Sequence, residues 1–360
     1  MRNQINFGLL LGLLLAFIPI TGLSQAESIE EAFDPVELID SHVWDSHEFH
    51  ITDWNGKPIT MPLPIILWTD NGLTVFSSAK FEHDNEANVV VEANGQRFVK
   101  YDEHIFYADK FDPEFFEEQS VLAKPFQYDI RPLDFSITQS VFSMILSVVL
   151  LLLIFGSAAK AYRKSDKAPT GLAGFLEPLI LFVRDDIAEP QLGDKYKRFM
   201  PFLLTVFFFI WINNLMGLIA FFPFGANLTG NIVFTFVMAI MVFLMTTFSG
   251  NKTYWKGIFL PPVPAFLLPI MIPIEIVGML TKPFALMVRL FANMTAGHII
   301  ILSLVSLIFI FGSVAIAPVS IIFVLFMTVL KLLVAALQAY IFTLLAALFI
   351  GQAVSDEAHE

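Results

Sequence analysis

Five polar residues stand in the two most apolar stretches of this 360-residue chain. Glu275, Arg289 and His298 lie in the run that begins near Ile270, and Lys331 and Gln338 in the run that ends near Gly351. An arginine keeps its proton, and a permanent cation deep in an apolar helix marks an ion path or the counter-charge for a partner. Taken as an antiparallel helix pair, the register that sets Gln338 opposite Arg289 also sets Lys331 opposite His298 and brings Glu275 level with position 353. Glu275 and His298 then lie about 21 Å and about 14 Å to either side of Arg289 along the axis. Protonatable groups flanking a fixed positive charge describe two proton half-paths that do not meet.

The elements that must hold these residues are membrane helices. The chain is 56% hydrophobic with a mean hydropathy of +0.70, well above a soluble domain. Apolar runs predict five spans, at about 135–156, 200–222, 229–249, 270–311 and 318–351. The last two, at roughly 50 to 60 Å, exceed a hydrocarbon core of about 30 Å and must tilt steeply. Between the first two spans, residues 170–190 are apolar but interrupted by Glu177, Arg184, Asp185, Asp186 and Glu189, which predicts a helix on the membrane surface. Asn213 and Asn214, in the second span, suit helix-to-helix contacts. The expected fold is an all-α polytopic membrane protein with a small exterior segment that has some β structure.

That segment is chemically distinct. Residues 1–26 read as a signal peptide: Arg2, an apolar core, then "LSQA". Residues 27–134 carry 23 acidic against 7 basic side chains, while the whole chain has a net charge of -12, so the membrane part is mildly basic. "NVVVEANGQRFVKYDEHIFYA" predicts a β-hairpin turning at "ANGQ". Residues 160–198 hold eight Lys and Arg, and "NKTYWKG" two more, which places these loops in the cytoplasm and residues 27–134 outside. The absence of cysteine excludes disulfides and thiolate chemistry. His42, His47 and His50, near Asp45 and Glu48, have the residue types of a zinc site but no fourth ligand at suitable spacing, so packing or a partner contact is the expected role. No cofactor and no nucleic-acid partner is expected.

The segments "KPFALMVRLFANMTAGH" and "LLVAALQAYIFTLLAALFIG", with "INNLMGLIAFFP" before them, resemble subunit a of F-type ATP synthases over about residues 130–355. The resemblance implies a proton-conducting stator without catalytic chemistry of its own, in a bacterial inner membrane. Its partners would be lipid, protons, the c-ring and the b-subunit peripheral stalk. It implies that Arg289 faces the ring carboxylate, that Gln338 lies across from it, that Glu275 serves the cytoplasmic half-channel, and that Asn293 and Asn214 match family asparagines. His298 stands where members carry Glu or His. Lys331 departs from the His or Glu usual at its position. A rival reading from the residues is a self-contained secondary transporter or ion channel binding a solute at Arg289, against which stand the lack of an internal repeat and the unbroken last helices.

Overall fold

The computed structural model describes residues 45–54, 57–112, 130–164, 170–219, 225, 227–261, 263–311 and 317–355. The expected signal peptide, His42 and the side chain of His50 lie outside these. The chain forms two compact units, divided within the first membrane helix at Ser143.

The described residues of the smaller unit form eight strands: β1 Glu48–Trp54, β2 Lys57–Pro62, β3 Pro64–Thr69, β4 Gly72–Ser77, β5 Val91–Ala93, β6 Gln96–Tyr101, β7 His104–Tyr107 and β8 Leu133–Asp134. They pair antiparallel as β1-β2, β4-β3-β8 and β5-β6-β7. The predicted hairpin is present: Ala93 pairs with Gln96, and the two turn residues Asn94 and Gly95 both have positive φ, 52° and 72°. Asn and Gly tolerate that backbone best, and the twist of such a turn matches that of the strands. The strands exceed the single hairpin expected because "KPITMPLPIILW" is studded with prolines, which argue against a strand interior. Here Pro62 and Pro64 fall at strand ends. Alternation within β3 sends Ile65 and Leu67 into a core with Phe76, Phe81, Phe98 and Ile105.

The larger unit is helical. Its elements are α1 Gln139–Lys164 (whose first turn belongs to the smaller unit), α2 Leu172–Phe182, α3 Glu189–Leu192, α4 Tyr196–Met216, α5 Ile232–Ser249, α6 Lys252–Phe259, α7 Leu268–Phe311 and α8 Ala317–Val354. Among the described residues, five helical stretches are long and apolar enough to cross a membrane. α1 runs on past the expected Gly156 because Lys160, Arg163 and Lys164 can continue a helix with their charges in water. α2 has 11 residues, about 17 Å of helix. A π-helical stretch, Val183–Ala188, joins it to α3, and Gly193, at φ 53°, breaks the path before α4. α7 and α8 have 44 and 38 residues, about 66 Å and 57 Å. The core packs Val183, Ile187, Leu203 and Phe208 against Leu286, Leu290, Phe342 and Ile350. On α8 the fully buried positions include Ala335, Ala339, Ala346 and Ala347, small residues that let helix backbones approach closely.

Candidate functional site

The end of α4, the turn before α5, and the facing sides of α7 and α8 line a small cleft of mixed polar and apolar character. Asn214, Asn227, Asn293 and Lys331 line it, with Gly217, Met294 and Ala335. Three of the sequence-predicted residues, Asn214, Asn293 and Lys331, thus meet in one place. Asn227 joins them unforeseen; it sits in the turn "GANLTGN", where an asparagine reads first as a turn former. Asn214 is buried, and its Nδ2 donates to the Ala335 carbonyl of α8 (3.2 Å), while its Oδ1 has no protein partner. Lys331 lays its stem along α7 at Gly297, where an added Cβ would come within 3.3 Å of Lys331 Cε. Nearby, Thr295 donates to the Gly230 carbonyl (3.3 Å), tying α7 to the start of α5.

Gln338 is 2% exposed. Its Oε1 accepts from Asn293 Nδ2 (2.9 Å) and its Nε2 has no protein partner. Gln338, which the register sets opposite Arg289, is thus bonded to Asn293, a turn further along the same helix. Arg289 itself is exposed and makes no hydrogen bond or ion pair among the described residues. It lies on an exposed stripe of α7 with Ala285, Ala292 and Ala296, whose side chains leave room for another helix to come close. His298 is half-buried on α7 one residue from Gly297 and is not part of the cleft wall.

At the opposite end of the pair, Lys282 Nζ donates to Gln352 Oε1 (2.9 Å) and lies 5.4 Å from the Phe349 ring centroid. Lys282, rather than Glu275, therefore meets the last turn of α8. Glu275 is half-buried seven residues earlier, on the same side of α7 as Lys282 and Arg289, since seven residues make nearly two turns. The orphan carbonyls at the end of α8 are held by the chain on either side: Val354 O accepts from Lys195 Nζ (2.6 Å) and Asn251 Nδ2 (2.7 Å). Lys195 precedes α4 and Asn251 follows α5, so both basic loops gather where α8 ends.

In the smaller unit the histidine-acid group has separate partners. His47 Nε2 is 3.1 Å from Asp134 Oδ2, and Glu48 Oε2 is 2.6 Å from His83 Nδ1. Asp45 accepts from Thr138 Oγ1 and the Ser140 amide (each 2.9 Å) at the start of α1. Among the described residues no group of three or more candidate ligands converges on one metal position.

The family model described as ATP synthase A chain matches residues 141–351, and one described as a domain of unknown function matches residues 38–135. ATP synthase subunit a of Chloroherpeton thalassium is 47% identical over 262 residues, which cover 71% of this chain and 77% of that protein. ATP synthase subunit a of Pelodictyon phaeoclathratiforme is 41% identical over 284 residues, covering 76% and 82%. ATP synthase subunit a 2 of Chlorobaculum tepidum is 46% identical over 243 residues, covering 64% and 68%. The match to the family model takes in α4, α5, α7 and nearly all of α8 together with every residue of the cleft; the chain belongs to the ATP synthase A chain family.

Proposed function

We propose that this chain is the proton-conducting stator of an F-type ATP synthase, in which Arg289 faces the carboxylates of a rotating ring of small subunits. The observation that carries this is the position of Arg289: exposed, unpartnered among the described residues, and flanked by Ala285, Ala292 and Ala296. A guanidinium presented that way has its counter-charge supplied by a neighbour, because an unpaired cation facing lipid is costly. Beside Arg289 a passing carboxylate stays ionised; before it re-enters lipid it must take up a proton. The same charge repels protons, which keeps the two paths apart. A membrane potential of 100 mV supplies about 2.3 kcal/mol per charge moved, so several protons per turn drive rotation.

In this reading the cleft at Asn214, Asn227, Asn293 and Lys331, with His298 close by, is the exterior half-channel. Gln338 and Asn293 brace its inner end. Glu275 opens the cytoplasmic half-channel, with Lys282 between it and Arg289. The orientation follows from the basic loops, which gather with the end of α8 on the cytoplasmic side. Residues 27–134 are then exterior, delivered by a signal peptide at 1–26, and a peripheral stalk of b subunits holds the stator against the ring's torque. The test is ATP-driven proton uptake by inverted membrane vesicles. Arg289→Ala is expected to abolish uptake with the complex still assembled; uptake at the normal rate would refute the proposal.

A further inference from the structure

The unit that carries most of the chain's negative charge has one sheet face with no charged side chain. In the sheet β4-β3-β8, alternate residues point away from the core. The cross-strand register places Trp68 beside Leu73 and Leu133, and Ile66 beside Val75, on that outer face. Beyond β8 the chain keeps its place on β3: the Phe135 amide donates to the Ile66 carbonyl (2.8 Å), and the Ile137 amide to the Pro64 carbonyl (3.1 Å). Phe135 therefore extends the same face. Trp68, Leu73, Val75, Leu133 and Phe135 are each between 55% and 63% exposed. The one polar side chain pointing that way among the described residues of the sheet is Ser77, at the end of β4. In a segment where 23 side chains are acidic, a sheet face this apolar is not a solvated surface.

We infer that this face docks on the lipid of the leaflet that α1 enters, as a monotopic membrane contact. Continuity with the span argues for lipid as the occupant. The strand that carries Leu133 and Phe135 runs into α1 after Ile137 and Thr138, and the first turn of α1 is fastened to the same unit. Asp45 holds Thr138 and Ser140, the Gln139 amide donates to the Ser46 carbonyl (2.9 Å), and Phe142 packs edge-on against Phe49 (5.6 Å). The apolar face is thus fastened to the first turn of α1, where the chain enters the membrane. Its residue types fit as well. An indole and a phenyl ring amid branched aliphatics suit the headgroup boundary, and the lack of lysine or arginine points to insertion by apolar contact rather than to attraction by anionic headgroups.

The chain has no cysteine of its own, so one introduced here adds a single site, and signal from other subunits is subtracted with the unsubstituted complex labelled in parallel. Leu73→Cys and Val75→Cys, with Glu92→Cys on β5 as the control, would be spin-labelled in the assembled complex in lipid nanodiscs. Accessibility to oxygen, which concentrates in lipid, is compared with accessibility to a water-soluble nickel chelate. The expected result is that labels at 73 and 75 favour oxygen several-fold over the label at 92. Equal access to the chelate at all three sites would place the face in water and overturn the inference. Labels at 73 and 75 reached by neither reagent would overturn it too, since the cover would then be protein. Each outcome is independent of proton conduction, which Arg289→Ala tests.

Discussion

Lys331 lines the cleft with its stem held against Gly297, together with Asn214, Asn227 and Asn293 and, among the described residues, with no acidic side chain in the cleft wall. Two roles are open to a lysine there: a fixed charge, or a group that takes up and releases protons. The unpartnered Oδ1 of Asn214 offers a hydrogen-bond acceptor to a water in the cleft, and a lysine ammonium, unlike a guanidinium, can pass a proton to such a water. We therefore expect Lys331 to exchange protons. An arginine would keep the charge but hold its proton too tightly to relay it. Lys331→Arg is expected to slow ATP-driven proton uptake as severely as Lys331→Met, on the order of tenfold, and to change its pH dependence. Wild-type uptake in the arginine variant, measured across a pH series, would make the charge alone the requirement.

Elements, rather than single side chains, set how closely the two long helices approach their neighbours. At Gly351 an added Cβ would lie 2.1 Å from the carbonyl oxygen of Gln191, a backbone atom of α3 that cannot swing aside. Gly351→Ala must push α8 away from α3, at about 1 to 3 kcal/mol for an overpacked contact. At Gly297 the neighbour is the flexible stem of Lys331 at 3.3 Å, so Gly297→Ala should be much milder. The expected outcome is a lower melting temperature of the purified complex for Gly351→Ala than for Gly297→Ala; equal melting temperatures would mean that the helix contact is not tight.

The same scale explains what the sequence could and could not tell. The five apolar stretches were legible because a helix in lipid must satisfy its backbone internally, and the hairpin at Asn94-Gly95 because its turn chemistry is local. The Asn293–Gln338 and Lys282–Gln352 bonds were not, since a constant antiparallel register assumes helices that neither rotate nor cross. Over helices of 44 and 38 residues that assumption fails by several positions at the end near Gln352. The outward turn of Arg289 was implied by the resemblance alone, because spacing fixes depth along a helix but not which flank a partner will occupy.

At the scale of the whole molecule, the chain joins a mildly basic membrane unit to an acidic one, and in the proposed orientation the acidic unit faces the side from which protons come. Such a unit must keep its fold where acid collects. Asp134, on the strand that leads into α1, shows how. Burial works to raise its carboxyl, but the hydrogen bond and the charge of His47, with two bonds from Ser136, outweigh that and hold it below the ordinary 3.8. A carboxylate whose folded value is depressed contributes stability that is fully present above the unfolded value and lost as pH falls through the folded one. The contribution is therefore in place at mildly acidic pH and fades only below about 3.8. Asp134 is 34% exposed, so solvent screening limits the effect to about 1 kcal/mol. Asp134→Asn is expected to lower the melting temperature of the smaller unit, followed in the full chain, by a few degrees at pH 5, which is about what that energy produces in a domain of this size. The gap between variant and wild type should begin to close as the pH falls below about 3.8 and vanish once the pH has passed the depressed folded value, where both side chains are neutral. A gap that widens on acidification would show that Asp134 is protonated in the fold, and that His47 stabilises the strand in some other way.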